Sequence, residues 1–161
     1  ADLSGADLSG ANLKQANLQA THLHGAMLRG ADLRAANLTD VMLNGAELVE
    51  ADFSRAVMRY AKLPDCDMRR ADFSGADLSL SDLRGNLTEA NLSQANLSGA
   101  DLSGANLRSA NLSHANMIDA RMAEADMAHV SMEGAIGPHG ERVGAGPGTR
   151  ASRRPWWQFW A

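Results

Sequence analysis

Residues 1–40 read ADLSG-ADLSG-ANLKQ-ANLQA-THLHG-AMLRG-ADLRA-ANLTD. The third residue of every five is Leu. Taken as the centre of its unit, it recurs at each fifth position from Leu3 to Leu83, which is 17 units. One residue is then missing. Centres resume at Leu87 and run in fives to Met132, which is 10 more units. All 27 centres are Leu, Phe or Met. Two positions before the centre stands a small residue, nearly always Ala, with Thr21, Val41, Cys66, Ser81 and Gly85 among the exceptions. This period fits neither an α-helix nor a simple alternating strand. Asn or Asp at the second position, and Ser or Gly at the fourth and fifth, also argue against helix.

The glycines carry a second signal. Of 15, ten close a unit, Gly5, Gly25, Gly75 and Gly134 among them. A type II turn needs a residue with positive φ, which Gly adopts without steric cost. Each unit therefore reads as a short extended piece ending in a tight turn. Units ending in Gln15, Arg55 or Tyr60 are expected to use another turn type. The centre and the small residue two before it share a face. They point inward, and the other three positions point out. One five-residue piece cannot bury an apolar face alone, so the coil must stack on itself. Stacking at ~4.8 Å places centre over centre in ladders. The irregularity at 85–86 reads as a tightened corner, with Gly85 ending one unit and supplying the small residue of the next.

The A-(D/N)-L-x-x pattern resembles the pentapeptide-repeat family over residues 1–136. The resemblance implies an all-β fold, a right-handed quadrilateral β-helix with four units per coil. At that number the 27 units make about 6.75 coils, a rod of roughly 30 Å. The expected ladder centres include Leu3, Leu23, Leu43, Phe53, Phe73, Leu87, Leu107 and Met132. Phe53 and Phe73 lie four units apart and are expected to stack in adjacent coils.

The chain divides into a repeat solenoid, 1–136, and a tail, 137–161. The tail holds five Gly and three of the four Pro, and reads as a flexible linker ending in a basic-aromatic segment. Arg153, Arg154, Trp156, Trp157, Phe159 and Trp160 suit a membrane interface, a partner groove or a cover over the open end of the rod. All three Trp of the protein are there. The chain starts without Met and without a visible cap, which reads as a fragment, a processed product or a rod end that contacts another copy.

The chemistry expected is sparse. One cysteine excludes an internal disulfide framework. No phosphate loop, nucleophile elbow or metalloprotease motif is present. His22 and His24 flank Leu23, but two imidazoles make a weak metal site. Asp and Asn at second positions recur too regularly to be paired catalytic acids, and such side chains bond backbone groups at turns. The expectation is a non-enzymatic scaffold for protein–protein interaction with no cofactor or metal, able to self-associate through its ends. An outward apolar cluster of Val57, Tyr60 and Leu80 is the candidate partner patch.

Some members of the resembled family bind type II topoisomerases by imitating duplex DNA, which makes a DNA-mimic protein the alternative reading. A mimic needs a concentrated acidic face. Residues 1–136 carry 18 acidic and 11 basic side chains. Sorted four units per coil, they give about −2, −2, −1 and −2 on the four sides, an even spread. A membrane-associated structural protein held by the tail is the second alternative. Nucleic acid is not an expected partner. The favoured compartment is the bacterial cytoplasm, or the periplasm or thylakoid lumen if a leading signal has been removed.

Overall fold

A computed structural model of the chain describes residues 1–144. Its backbone pairs with itself at a spacing of 20 residues, or 19 where the pairing spans residue 85. Asp2 bridges His22, His22 bridges Met42, and the parallel series continues through Lys62, Asp82 and Asp101 to Arg121. Three further series start at Asp7, Asn12 and Asn17. These four series define four faces, numbered here in that order. Each face contributes one bridging residue per turn of the coil, so the pairings are isolated bridges rather than broad sheets.

The reason lies in how each unit satisfies its five N–H groups. In the first unit Leu3 N–H donates to His22 O at 2.7 Å and Gly5 N–H to His24 O at 2.8 Å, both in the next layer. The second residue donates to the layer before, as His22 N–H does to Ala1 O at 3.0 Å. The first residue of the following unit closes the turn, Ala6 N–H to Leu3 O at 3.0 Å. That leaves the fourth residue, and the side chain two before it accepts its N–H: Ser4 N–H donates to Asp2 Oδ1 at 3.0 Å. The same bond recurs from Ser74 to Asp72 at 2.8 Å and from Ser113 to Asn111 at 3.0 Å. Buried or half-buried backbone donors need partners, and this one explains the run of Asp and Asn at second positions. His22, Met27, Met42, Val57, Lys62, Arg121 and Ile136 lack such an oxygen; after Lys62 and Ile136 the residue two on is Pro64 or Pro138, which has no N–H to satisfy.

A test follows from that pairing. Asn111→Ala is expected to lower stability by about 1 kcal/mol, as loss of a capping side chain does. Lys62→Asn is expected to leave it unchanged, because Pro64 offers nothing to bond. Urea denaturation followed by circular dichroism distinguishes them.

The turns correct the sequence reading. Gln15, Arg55 and Tyr60 have φ of 60°, 58° and 58°, against 71° at Gly5. They use the same left-handed position as glycine, not another turn type. Left-handed backbone costs an L-residue about 1–2 kcal/mol. The interlayer bond of the same residue, such as Gln15 N–H to Arg34 O at 2.9 Å, holds it there nonetheless.

The core is a thin channel of Leu, Met and Phe centres lined by Ala. Leu23, Leu43, Phe53, Phe73, Leu87 and Leu107 are fully buried, and Met132 is nearly so. The Phe53 and Phe73 rings lie face to face, 5.0 Å apart and 7° from parallel. Leu3 departs from the rest of its ladder: it is 36% exposed, because its coil has a layer on one side only. At residue 85 the ladders keep register with one residue fewer, Asp67 pairing with Asn86. Gly85 N–H donates to Leu83 O at 2.8 Å, a tighter corner than the others. Gly85 takes only the inward place. The turn position with positive φ is the one omitted.

The sequence reading placed a flexible linker from residue 137. In the structure the chain instead turns back there. Ile136 forms an antiparallel bridge with Arg142, Gly137 N–H donates to Glu141 O at 2.8 Å, and Val143 N–H donates to Ala135 O at 2.8 Å. Val143 packs against the core. A sequence rich in Gly and Pro thus folds a short return over the last layer, since Gly140 takes the φ of 81° that the reversal requires. The tail residues Arg153, Arg154, Trp156, Trp157, Phe159 and Trp160 lie outside the described residues.

Candidate interaction surface

Outward positions on three faces are mainly polar. Several of their carboxylates are held by neighbours within the same unit. Arg34 makes two bonds to Asp32, Nε to Oδ1 at 2.9 Å and Nη2 to Oδ2 at 2.7 Å. Arg69 does the same to Asp67, and Arg84 to Asp82. Arg70 pairs with Glu50 across layers at 2.9 Å. The Arg34 guanidinium lowers the Asp32 carboxyl from the usual 3.8 to about 2. Asp67 and Asp82 are lowered for the same reason, and Asp2 and Asp7 by the hydroxyl and N–H of Ser4 and Ser9.

These shifts fix the sign of the acid response. A carboxylate held below its unfolded value binds fewer protons when folded, so its stabilisation is complete above the unfolded value and is lost on acidification through the folded one. The melting temperature is therefore expected to be flat above the usual 3.8 and to fall between there and about pH 2. Melting curves across that range check it.

The fourth face differs. Its bridging residues run Asn17, Asn37, Val57, Asp77, Asn96, Asn116 and Ile136. Among the described residues six large hydrophobic side chains are exposed, and four of them belong to this face: Val57 at 41%, Tyr60 at 48%, Leu80 at 49% and Ile118 at 38%. Interlayer bonds set Tyr60 and Leu80 in one row. Tyr60 N–H donates to Ser79 O, Leu80 N–H to Ser98 O, and Gly99 N–H to Ile118 O. The row of fifth positions thus runs Tyr60, Leu80, Gly99, Asp119 over four successive layers, and Ile118 stands one position before Asp119, in line with Ser98 and Ser79.

Leu80 lies over Gly99. A β-carbon at Gly99 would stand 2.7 Å from Leu80 Cδ2. The Arg59 guanidinium is 5.8 Å from the Tyr60 ring centre, within cation–π range. A shallow hollow beside the row is floored by Asn96, Ser98 and Gly99 and flanked by Leu80 and Asp119. Val57, Tyr60 and Leu80, the three residues singled out from the sequence, are exposed on this face, and so is Ile118, which that reading did not single out. Counting units by four from Val57 and Tyr60 would have placed Ile118 on the same side.

Other candidate chemistry stays apart from this surface. His22 and His24 meet edge to face at 5.7 Å on the first face. Among the described residues no group of three or more His, Cys, Asp or Glu is arranged to hold a metal ion. Cys66 is buried, donates its S–H to Leu43 O at 2.9 Å, and has its thiol pushed up to about 12 by burial. Such a thiol is a packing group rather than a nucleophile at neutral pH. No helix of the described residues is long and apolar enough to cross a membrane.

A family model for pentapeptide repeats matches residues 1–40, 36–75, 46–85, 86–122 and 100–136. Among solved structures, QnrB1, a plasmid-mediated fluoroquinolone resistance protein, is similar at 15% identity and a TM-score of 0.54, covering 84% of this chain and 83% of its own. HetL, a pentapeptide repeat protein involved in heterocyst differentiation regulation in Nostoc sp. strain PCC 7120, is 29% identical over 88% of this chain and 87% of its own, with a TM-score of 0.32. A pentapeptide repeat protein of the Arabidopsis thaliana thylakoid lumen is 33% identical over 69% and 68%, with a TM-score of 0.37. Comparison with curated proteins gives no match.

Proposed function

Because the chain belongs to the pentapeptide-repeat family, we propose that it is a non-enzymatic scaffold, a right-handed four-sided solenoid of about 6.75 coils that offers its fourth face to a protein partner. The observation carrying this reading is the gathering of Val57, Tyr60, Leu80 and Ile118 on one side of a rod whose other sides are mainly polar. Exposed apolar side chains scattered singly need no explanation, but a contiguous patch rimmed by polar groups marks a contact surface. Its centre has the composition of interface anchors, a Tyr backed by an Arg. The hollow along the row is shallow and floored by amide, hydroxyl and glycine, which suits a side chain or loop of another protein.

Affinity capture from the native host tests it. Leu80→Asp and Ile118→Asp are expected to remove specific partners, whereas Met27→Asp, an equally exposed apolar position on the second face, is expected to retain them. The reading fails if all three variants capture the same set as the parent.

The duplex-mimic alternative draws no support from the surface electrostatics. Arg34, Arg69, Arg70, Arg84 and Arg108 each neutralise a carboxylate at 3.3 Å or less. A phosphate-like array requires charges left open to a basic groove.

A further inference from the structure

The fifth positions of the fourth face begin one layer below Tyr60, at Asp40. Asp40 N–H donates to Arg59 O, Tyr60 N–H to Ser79 O, Leu80 N–H to Ser98 O and Gly99 N–H to Ile118 O, so Asp40, Tyr60, Leu80, Gly99 and Asp119 follow one another in successive layers. A carboxylate therefore stands at each end of an apolar stretch. Leu80 leans along the row over Gly99, where a β-carbon would meet its Cδ2 at 2.7 Å. At ~4.8 Å per step the two carboxylates are about 19 Å apart. Both are exposed, and neither makes an ion pair among the described residues. On the other faces Asp32, Glu50, Asp67 and Asp82 each have an arginine. Arg59, the one Arg or Lys in the seven units of this face, lies over the Tyr60 ring instead.

The backbone under the row offers an occupant nothing to pair with. The fifth residues donate their N–H groups to the next layer, and the second residues donate theirs to the layer before, as Asp77 N–H does to Ala56 O at 3.0 Å. An extended segment laid along the row would find no partner there for its own N–H and C=O groups, whereas a helix satisfies its own. A helical stripe at i, i+4, i+7 and i+11 rises about 16 Å, and long basic side chains at its two ends reach further along the row. The ends then meet Asp40 and Asp119. The two middle residues meet Tyr60 and Leu80 and enter the hollow of about 330 Å³ that contains Ser79, Asn96, Ser98 and Gly99. We infer that the Asp40–Asp119 row receives an amphipathic helix of a partner protein, with Lys or Arg at both ends of its apolar stripe. This rests on the fourth face being the presented surface, and names the chemistry of what that surface takes.

A synthetic peptide tests it. The probe is a labelled Ala- and Gln-rich sequence with Leu at the two middle stripe positions and Lys at the two end positions, only partly helical alone. Added to the full chain, it is expected to bind by fluorescence anisotropy and to gain helical circular dichroism. That signal stands apart from the rod, whose described residues contain no helix. Asp40→Asn and Asp119→Asn are each expected to weaken binding about two- to fivefold, as loss of an exposed ion pair does. Raised salt should weaken binding to the parent more than to the double variant. Glu89→Gln, at an exposed carboxylate of the second face, is expected to leave binding unchanged. Moving both Lys one position round the helix, off the stripe, should weaken it as much as the double variant does.

The inference is overturned if the peptide does not bind, or if the double variant binds it as the parent does. Binding without a gain in helix overturns it in favour of an extended occupant. Self-association of the chain that the double variant abolishes overturns it in favour of a second copy. Loss of captured partners in Leu80→Asp, together with unchanged capture by the Asp40→Asn, Asp119→Asn variant, leaves the presented surface standing and overturns this inference alone.

Discussion

Leu63→Asp is expected to abolish cooperative folding of the middle of the rod at neutral pH. Leu63 is fully buried at a first-face centre, with Leu43 and Leu83 in the layers on either side. Removing the side chain forfeits about 2–3 kcal/mol of apolar burial. The carboxylate that replaces it enters a channel lined by Ala, Leu and Met, where an unpaired charge costs several kcal/mol more. The sum approaches the whole stability of an ordinary domain, about 5–15 kcal/mol. Leu63→Met separates charge from shape. Met58 and Met68 already fill neighbouring centres, and a swap of similar volume costs less than about 1.5 kcal/mol. Urea titrations of the two variants should differ accordingly. A midpoint for Leu63→Asp close to that of the parent would show that the centre does not face a closed channel.

The second large effect is expected at Gly85. A β-carbon built there meets Cys66 O at 2.7 Å, Met68 Cε at 3.0 Å and Cys66 N at 3.1 Å. Two of those atoms are backbone of the layer beneath, tied into the ladder by the Asp67–Asn86 pairing, and cannot step aside alone. Gly85→Ala is therefore expected to cost about 1–3 kcal/mol, the range for overpacking a closed interior. Gly10→Ala has open space around its β-carbon and only the positive φ of 68° to contend with, a penalty of about 1 kcal/mol. The defect at 85 also has a specific rescue. Inserting one Gly after Arg84 restores the omitted turn residue, so the insertion combined with Gly85→Ala should recover most of the loss. If the combined variant is no more stable than Gly85→Ala alone, the corner is not a unit shortened at its fifth position.

These two sites also mark how far the sequence could be read. The inward pair of each unit was legible because identical layers repeat one local pattern, and a period of five leaves few ways to bury it. The face-to-face contact of Phe53 and Phe73 then needs only the number of units per coil. The turns were harder. Propensity assigns positive φ to Gly, yet Arg55 and Tyr60 adopt it because the bond to the next layer fixes the backbone whatever the side chain. That is tertiary structure overriding a local preference. Residues Gly137–Val143 misled for a related reason. Composition describes what a segment does alone, while the return is held by Ala135 and Ile136, residues of the rod. Ile118 was overlooked because an exposed apolar residue is unremarkable in one unit. It acquires meaning only with Leu80, 38 residues earlier in the chain but exposed on the same face.

The claim on which the fold and the fourth-face surface both depend is that a turn of the coil takes four units. Paired cysteines measure it. In a Cys66→Ala background, Met42→Cys with Lys62→Cys places the two cysteines on the bridging residues of adjacent first-face layers, with Cα atoms about 4.8 Å apart, inside the about 4.4–6.8 Å Cα–Cα range a disulfide spans. Met42→Cys with Asp52→Cys places them two units apart, on the first and third faces, with the Leu and Phe channel between. Mild oxidation is predicted to close the first pair within the monomer and to leave the second as free thiols. Closure of the 42–52 pair at a comparable rate, or failure of the 42–62 pair to close, would contradict the four-sided coil.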